Sequence, residues 1–598
     1  MSRVVRIGGA SGAWGDSPIS VGQLLGAGVD YLMMDYLAEI TMSLLARARA
    51  KDPAAGYAPD MVTYLQPHLA TIAAGRVKVV SNAGGVNPLA CKQALEAACQ
   101  AQGVHLKVAA VEGDDVLPMI DALRQEGVRE WVSSEPIPPR LLSANAYLGA
   151  LPIAAALAAG ADIVITGRCA DSALALGILM HEFGWTPEAY DQLAAGSLVG
   201  HLLECGPQAS GGLFTDWETV PGWADIGYPI AECSADGSFV ITKPAGTGGL
   251  VNTQTVAEQV LYEVGDPGAY VLPDVVADFT RLELTSAGPD RVQVRGVRGR
   301  PAPSQYKVSA TFQDGFRATA LVCIIGPAAA RKAERTAEAL LERSRMHLRA
   351  LGLPDFKATH TEVLGAEASY GAQSRARDSR EVVLRLVVDH AHPKALEAMA
   401  REVGSTGLSF APGTAAFIGG RPKASPVVRL FTFMIDKARL TAPRVVLGDA
   451  PGFEVPVPLS AAQTAPIPAP AAPVAAPEAG SAAGPLVEVS LDRVAHARSG
   501  DKGDTSNVAI FCRDPRYYAH LSQELTTERM AAVFGDAVKG PIERFEAPGL
   551  HAFNFLMQQA LGGGGMATQR IDALGKSYGQ RALEMRVRVP AQWLEVQR

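Results

Sequence analysis

The chain has 598 residues, of which 48% are hydrophobic and 19% are charged, and its formal net charge is −7 at pH 7. This length is too great for one hydrophobic core and predicts two or three domains, and the composition is globular rather than disordered. The negative net charge argues against a general basic surface for nucleic acid, and every apolar run is too short or too interrupted to span a membrane.

Cysteine usage and the N-terminal sequence indicate the compartment. The seven cysteines are scattered and odd in number, and none forms a Cys-x-x-Cys pair, so neither a disulfide framework nor a zinc ribbon is predicted. The first nine residues lack the apolar core of a signal peptide. We therefore expect a cytoplasmic protein that binds neither a membrane nor a nucleic acid.

A strand, a polar glycine-containing loop and a helix recur near residues 4, 29, 77, 106 and 162. This alternation predicts Rossmann-like βαβ units with a largely parallel sheet over residues 1–270. The loops after parallel strands gather at one edge of the sheet, where open α/β folds bind ligands. The polar residues that we expect in this cleft are Ser11, Asp16, Asp35, Asn82, Asn87, Glu112, Asp114, Arg168 and Asp171.

Residues 160–177 are the most informative of these units. The β-branched run 163–165 predicts a strand buried on both faces, and residues 173–180 predict the helix that follows. Arg168 and Asp171 lie in the turn between them, which is a ligand-binding position. The alternative is that Asp171 or Ser172 only caps the helix and Arg168 pairs with a surface acid.

Three glycine-containing loops are candidates for holding a phosphate or carboxylate through backbone N–H groups. The first, residues 8–17, matches neither the dinucleotide-binding nor the P-loop signature, so a plain tight turn is the alternative. The second loop is residues 81–88. The third, residues 243–249, precedes a predicted helix at 255–264. The substrate contacts predicted in the three loops are Gly9, Ser11, Gly12, Asn82, Gly84, Gly85, Asn87, Lys243, Gly246, Thr247, Gly248 and Gly249.

The predicted helix over residues 196–206 carries three side chains of types that bind metals. His201, Glu204 and Cys205 share one helical face at spacings that would let them bind a cation. Helices also carry such trios by chance, and the sequence offers no obvious further ligand. No metal ligand is therefore predicted.

The pattern changes after residue 270. Residues 271–455 alternate less regularly and predict an α+β portion, with strands at 306–312 and 318–325 and a helix at Ala329–Ala350. Residues 456–485 are rich in proline and alanine and predict a semi-rigid linker between residues 1–455 and a small domain at 486–598.

The small domain begins with a segment dense in functional groups. We interpret residues 496–507 as a polar loop before a strand at 508–512, and the element order predicts a ferredoxin-like α+β fold. The loop contributes five predicted substrate contacts: Arg498, Ser499, Asp501, Lys502 and Asp504. It would complete the main cleft of a neighbouring subunit, so we expect a homo-oligomer.

Four segments resemble the acyclic terpene utilisation (AtuA) family, namely residues 8–12, 160–177, 244–249 and, most specifically, 496–504. The resemblance covers nearly the whole chain and implies an AtuA domain followed by an AtuA-like ferredoxin-fold domain. The family is associated with bacterial catabolism of citronellol and geraniol, and its genes commonly lie beside genes for acyl-CoA carboxylases, dehydrogenases and hydratases. This context implies a CoA thioester as substrate and no certain cofactor.

The expected function is a lyase or hydratase that acts on a branched-chain or terpenoid acyl-CoA. Such chemistry needs a base and donors for an enolate oxygen. We predict Asp171, Asp16 or Glu112 as the base, and Arg168 with a glycine-loop backbone as the oxyanion site. Lys243 and Arg140 are the candidates for binding CoA phosphates.

The alternative is a non-catalytic partner or scaffold subunit of an acyl-CoA carboxylase or a related enzyme. A hydrolase lacks support because the sequence has no Gly-x-Ser-x-Gly motif.

Overall fold

The computed structural model describes residues 3–458 and 485–594. Nearly all of the linker predicted at 456–485 therefore lies outside the described residues. Within the two described ranges, no helix combines the length and the apolar character needed to cross a membrane.

Strands occur throughout both described ranges. In chain order they are β1 (Val4–Ser11), β2 (Tyr31–Met34), β3 (Lys78–Ser81), β4 (Val108–Glu112), β5 (Ser143–Ala146), β6 (Ile163–Thr166), β7 (Ile230–Ser234), β8 (Phe239–Thr242), β9 (Tyr270–Val271), β10 (Val276–Asp278), β11 (Glu283–Ser286), β12 (Val292–Arg295), β13 (Arg298–Arg300), β14 (Gln305–Ile325), β15 (Ala358–Leu364), β16 (Glu381–His390), β17 (Thr414–Phe417), β18 (Ser425–Asp436), β19 (Arg444–Leu447), β20 (Phe453–Glu454), β21 (Leu486–Ser490), β22 (Ala495–Lys502), β23 (Thr505–Cys512), β24 (Ile542–Ala547), β25 (Ala552–Met557) and β26 (Arg586–Pro590).

The helices are mostly short. They are α1 (Ile19–Gly26), α2 (Glu39–Lys51), α3 (Pro59–Leu65), α4 (Leu69–Gly75), α5 (Pro88–Ala101), α6 (Ile120–Gln125), α7 (Leu151–Ala158), α8 (Ala173–Phe183), α9 (Tyr190–Leu203), α10 (Thr253–Val260), α11 (Ala329–Ala350), α12 (Pro393–Val403), α13 (Thr406–Ser409), α14 (Tyr518–Glu524), α15 (Thr527–Phe534) and α16 (Tyr578–Leu583).

An eleven-stranded sheet forms the centre of the first domain, with strand order β11-β12-β8-β7-β1-β2-β3-β6-β4-β19-β20. The five strands from β1 to β4 in this order pair in parallel, and the strands outside them pair antiparallel. The parallel core is buried on both faces because its strands are almost entirely apolar, as in β6. The predicted α/β class with a parallel sheet is confirmed, and the carboxyl ends of the five strands share one edge.

The second large sheet is built on one long strand. The sequence predicts two strands at 306–312 and 318–325, but β14 runs continuously through both and pairs with β5, β16, β17 and β18. Asp314 and Gly315 do not end the strand, since a register shift opposite β18 between Gln313 and Phe316 absorbs them as a bulge. The α+β character predicted for residues 271–455 is present, with one long strand in place of the two predicted at 306–312 and 318–325.

The small domain is a four-stranded antiparallel sheet of order β22-β23-β25-β24, beside which β21 pairs with β26. The interpretation of residues 496–507 as a loop is wrong. These residues form most of a β-hairpin of β22 and β23, with the turn at Gly503, where φ is +63°. Most of their polar side chains are buried, which hides the strand pattern, and those of His496, Arg498 and Asn507 bond to the first domain instead of facing water.

Two buried asparagines fasten the domains together. Asn507 Nδ2 donates to Leu261 O at 2.8 Å, and Glu263 N donates to Asn507 Oδ1 at 3.1 Å. Asn554 Nδ2 donates to Val264 O at 2.8 Å and to Gly265 O at 2.5 Å. The amides satisfy the backbone after α10, which would otherwise be buried without hydrogen bonds.

Replacing Asn554 tests this fastening. In Asn554→Leu, two backbone carbonyls lose their donor at a fully buried site, so we expect a loss of about 3 kcal/mol in the free energy of unfolding. Urea unfolding measures the loss, and hydrogen exchange at the Glu263 amide should accelerate. Glu543→Gln, at an exposed position of the neighbouring strand β24, is the matched control. Equal urea midpoints for both variants would contradict the assigned role.

Candidate active site

Polar side chains at the carboxyl edge of the parallel strands are joined into one network. Ser11 Oγ donates to the backbone oxygen of Asp35 at 2.9 Å, and Asn82 Nδ2 donates to Asp35 Oδ1 at 2.5 Å. Burial, together with the negative charges of Asp171 and Glu204, raises the pKa of Asp35 well above its usual range. The strand ends β1, β2 and β3 thus place a protonatable carboxyl group beside two further acids.

Arg168 organises the centre of this edge. Its side chain is 2% exposed, and Nη2 contacts Asp171 Oδ1 at 2.7 Å while Nη1 donates to Leu37 O at 2.6 Å. The guanidinium lies over the Tyr147 ring, 4.1 Å from its centroid. A buried guanidinium is costly unless it is paired, so Arg168 and Asp171 hold each other in place, and Asp171 remains 24% exposed toward a cavity.

Asp114 supports Arg168 from behind. Its Oδ2 accepts from Arg168 N at 2.9 Å and from Asn145 Nδ2 at 2.8 Å. Burial raises the pKa of Asp114 to about 6, and these two hydrogen bonds lower it only in part. The carboxyl group therefore fixes the turn after β6.

The cavity in front of Asp171, here called the acid cavity, has a volume of about 130 Å³. Glu204 also lines this cavity, and its Oε1 lies in hydrogen-bond contact with His201 Nδ1 at 3.0 Å. Burial raises the pKa of Glu204, although His201 opposes that shift. The remaining polar lining consists of Tyr147, Ser172, Tyr270, Gln305, Tyr306, Lys307 and Lys502. Two carboxyl groups, phenols and ammonium groups therefore converge on a small space.

The acid cavity adjoins a groove of about 1300 Å³, and the two spaces share Val271, Lys307 and Lys502 in their linings. Apolar side chains of both domains line this groove: Val264, Val271, Val276, Phe312, Leu430, Phe431, Met434 and Leu556. An elongated ligand therefore has space to reach the acid cavity along an apolar wall.

Lys502 comes from the end of β22 in the small domain and reaches the acid cavity of the same chain. Its Nζ contacts Glu263 Oε2 at 3.2 Å, and Lys576 Nζ lies 3.0 Å from Asp501 Oδ1 and 3.4 Å from Glu263 Oε1. Burial alone would raise the pKa of Glu263, but the charges of Lys502 and Lys576 lower this pKa to about 2. The hairpin therefore reaches the cavity of its own chain, whereas we expected it to complete the cleft of a neighbouring subunit.

Of the predicted site residues, Asp171, Asp501, Lys502 and Asp504 line the acid cavity or the groove. Asp504 accepts hydrogen bonds from Leu561 N and Gly563 N, which shape the wall of the groove. Arg168 stands directly behind Asp171.

The glycines of the first two predicted loops serve close packing. A Cβ on Gly9 would lie 2.5 Å from Leu203 O, and one on Gly84 would lie 2.5 Å from Thr166 O. Gly85 has φ of +54°, and Asn87 caps α5 by accepting from Ala90 N. None of these four residues lines the acid cavity or the groove.

The third loop is held by internal contacts. Lys243 Nζ contacts Asp290 Oδ2 at 3.2 Å and donates to Thr247 O at 2.9 Å, so its positive charge is already compensated by a carboxylate. Gly248 packs on the backbone of Gly222, and Gly246 and Gly249 form the turn with positive φ. This loop also lies outside the acid cavity and the groove.

The other predicted catalytic acids are engaged elsewhere. Glu112 lies at the end of β4 opposite Arg444 of β19. Asp16 accepts from Gly12 N at 2.8 Å and from Tyr228 Oη at 2.5 Å, and it lines a different cavity together with Gly12, Arg498 and Ser499. The candidate phosphate ligand Arg140 is exposed outside the acid cavity and the groove.

Several residues of the site carry no sequence signal. Tyr270, Lys307, Glu263 and Lys576 belong to no motif, and Glu204 is noticed from its spacing only as a possible metal ligand. In the described ranges, no group of three or more His, Cys, Asp and Glu side chains is arranged to hold a metal ion. His201 instead bonds to Glu204.

Asp114 predicts a pH dependence of stability. Its pKa is raised on folding from 3.8 to about 6, so the unfolded chain loses this proton first and stability falls as pH rises from about 4 to about 6. The contribution of this proton to the free energy of unfolding is ~3 kcal/mol at low pH and is lost over this range. Asp114→Asn removes it, so the difference in unfolding free energy between wild type and variant should decline over this range in urea titrations. Asp449→Asn, at an exposed position, is the control, and a constant difference for Asp114→Asn would refute the assignment.

Comparison with known families accounts for nearly the whole chain. The model described as acyclic terpene utilisation family protein AtuA matches residues 5–446, and the AtuA ferredoxin-like domain matches residues 489–588. No curated protein and no solved structure matches the chain. The resemblance seen in residues 8–12, 160–177, 244–249 and 496–504 is confirmed, and the chain belongs to the acyclic terpene utilisation (AtuA) family.

Proposed function

We propose that the protein is an enzyme of acyclic terpene catabolism that carries out acid–base chemistry on a branched or terpenoid acyl-CoA, as a lyase or a hydratase. The observation that carries this proposal is the pair of carboxyl groups, Asp171 and Glu204, that faces the acid cavity beside Lys502. Family membership supports terpene utilisation, and the adjoining apolar groove suits a branched acyl chain.

Both reaction types need the same groups. In a hydration, a base takes a proton from water, the water oxygen bonds to C3 as the π bond between C2 and C3 breaks, and the electron pair left as the thioester enolate is protonated at C2. In a lyase reaction, a base takes the proton of a 3-hydroxyl group, the C2–C3 bond breaks, and its electron pair becomes a thioester enolate that is protonated at C2. A base, an acid and a donor for the thioester oxygen serve either course.

The roles follow from charge and burial. Asp171 is the base, because Arg168 holds its carboxylate in place from the buried side at 2.7 Å. Glu204 is the acid, because burial raises its pKa and favours the protonated form. Lys502 donates to the thioester oxygen, since its ammonium group is the charge that the small domain adds to this cavity.

The groove takes the remainder of the substrate. Its apolar wall receives the acyl chain and the pantetheine arm, which carry few charges. Arg300 also lines the groove, and it is a better candidate for binding the CoA phosphates than Lys243, which is paired with Asp290, or Arg140, which lies outside the groove.

Turnover of CoA thioesters by the purified protein tests the proposal. Asp171→Asn and Glu204→Gln should each lower kcat by about 10²- to 10⁴-fold, because each removes a proton-transfer group, while calorimetry should still detect the ligand. Asp121→Asn, an exposed position on α6, should keep full activity. Mass spectrometry of the products identifies the reaction. Binding without turnover by the wild type would refute the enzyme and favour a non-catalytic partner subunit.

Lys502 tests the contribution of the small domain. Lys502→Met should reduce kcat more than it raises KM, because the lost interaction strengthens as the thioester oxygen gains charge. Lys502→Arg retains the charge and should recover part of the rate. Lys539→Met, at an exposed position in the same domain, is the control. Equal kcat for Lys502→Met and the wild type would remove Lys502 from the mechanism.

A further inference from the structure

A second cavity, here called the tryptophan cavity, lies between the first glycine loop and the small domain. Its volume is about 740 Å³, and its lining includes Trp14, Trp217, Trp223, Arg498 and Lys576. Nothing in the proposed reaction uses this space.

Ion pairs separate the tryptophan cavity from the groove. Lys576 lines the tryptophan cavity, but its ammonium group bonds to Asp501 and Glu263, which line the groove. Residues 497–499 of β22 face the tryptophan cavity, whereas residues 501–502 of the same strand face the groove. The two spaces therefore flank one hairpin.

Three of the six tryptophans of the chain line this cavity and remain exposed to water. Trp14, Trp217 and Trp223 are 36%, 55% and 59% exposed, and the rings of Trp217 and Trp223 meet edge to face at 5.9 Å. Exposed indoles clustered around a concave space are suited to stacking against a planar ring.

Arg498 supplies positive charge in the same cavity. The residue is 7% exposed, donates to Leu213 O at 3.1 Å and to the side-chain oxygen of Gln208, and stacks 4.6 Å above the Tyr262 ring centroid. Within residues 3–458 and 485–594, no carboxylate forms an ion pair with it. A buried guanidinium with only neutral acceptors is suited to an anionic group of a ligand.

The glycine loop does not supply the anion site. Gly12 N donates to Asp16 Oδ2 at 2.8 Å, and Gly15 N donates to Asp60 Oδ2 at 3.0 Å, so these two N–H groups are already satisfied by carboxylates. The loop instead forms a wall that carries Trp14, and Arg498 provides the charge.

We propose that the tryptophan cavity binds an adenine nucleotide, with the purine against Trp217 and Trp223 and a phosphate on Arg498. The volume is that of a small-molecule site, and indole stacking with a buried cation matches an aromatic ring that carries phosphate. The nucleotide is either free or the adenosine phosphate part of a second CoA molecule, distinct from the acyl-CoA that the groove receives. This site is independent of the proposed acyl-CoA reaction at Asp171.

Titration of the full chain with ADP, with CoA and with inorganic phosphate tests the site, using calorimetry and tryptophan fluorescence. Wild type should bind ADP, and Trp217→Ala and Trp223→Ala should each weaken it by about tenfold, because stacking to one base is lost. Arg498→Gln should weaken ADP binding more than either tryptophan substitution does, because the phosphate loses its positive partner. Trp131→Phe is the matched control, since Trp131 is 61% exposed and lines the groove instead.

The arms also separate the two sources of the nucleotide. Similar affinities for ADP and CoA, both reduced by Trp223→Ala, identify the nucleotide part as the ligand, and tighter binding of CoA with the same dependence identifies CoA. Circular dichroism checks that Arg498→Gln is folded. If that variant does not fold, the variants of the exposed tryptophans still test the site. Absence of ADP binding, or binding that changes with Trp131→Phe but not with Trp223→Ala, would overturn the proposal.

Discussion

The union of the two domains through buried polar groups is the constraint on which the rest of the structure depends. Asn507 and Asn554 bond to the backbone after α10, and His496 Nδ1 meets Glu258 Oε1 at 2.9 Å with both side chains almost fully buried. Arg317 pairs with Asp389 and also donates to backbone oxygens of residues 566–568. Separating the domains would expose or strand all these groups at once, so the docked arrangement is strongly specified.

That union also builds the candidate site. The first domain alone would present three neighbouring carboxyl groups, those of Asp35, Asp171 and Glu204, with Arg168 as the buried cation. The hairpin adds Lys502 to the acid cavity. Together, Lys502 and Lys576 stabilise the negative charge of Glu263. Burial raises the pKa of Asp35 and Glu204 while the lysines lower that of Glu263, and such separation of neighbouring acids is what acid–base chemistry requires.

The glycine-rich loops illustrate why composition alone misplaces a site. A glycine after a strand suits both a phosphate cradle and a tight helix contact, because both need a backbone without a Cβ. Gly9 and Gly84 meet carbonyl oxygens of Leu203 and Thr166 at distances that exclude any side chain. The same loops still position their polar neighbours, since Ser11 and Asn82 bond to Asp35.

The sequence by itself determined the class of fold, the family and the edge of the sheet at which the polar side chains gather. Apolar strand periodicity and recurring βα spacing depend on local patterns, so the five parallel strands and the turn with Arg168 and Asp171 were predictable. The tertiary structure alone decided which candidates share a cavity. Residues 496–507 look like a loop because a strand buried against a polar interface has no apolar alternation, and Lys502, Glu204 and Tyr270 meet only through the docking of distant segments. Contacts of this kind are set by packing between domains, which no local pattern encodes.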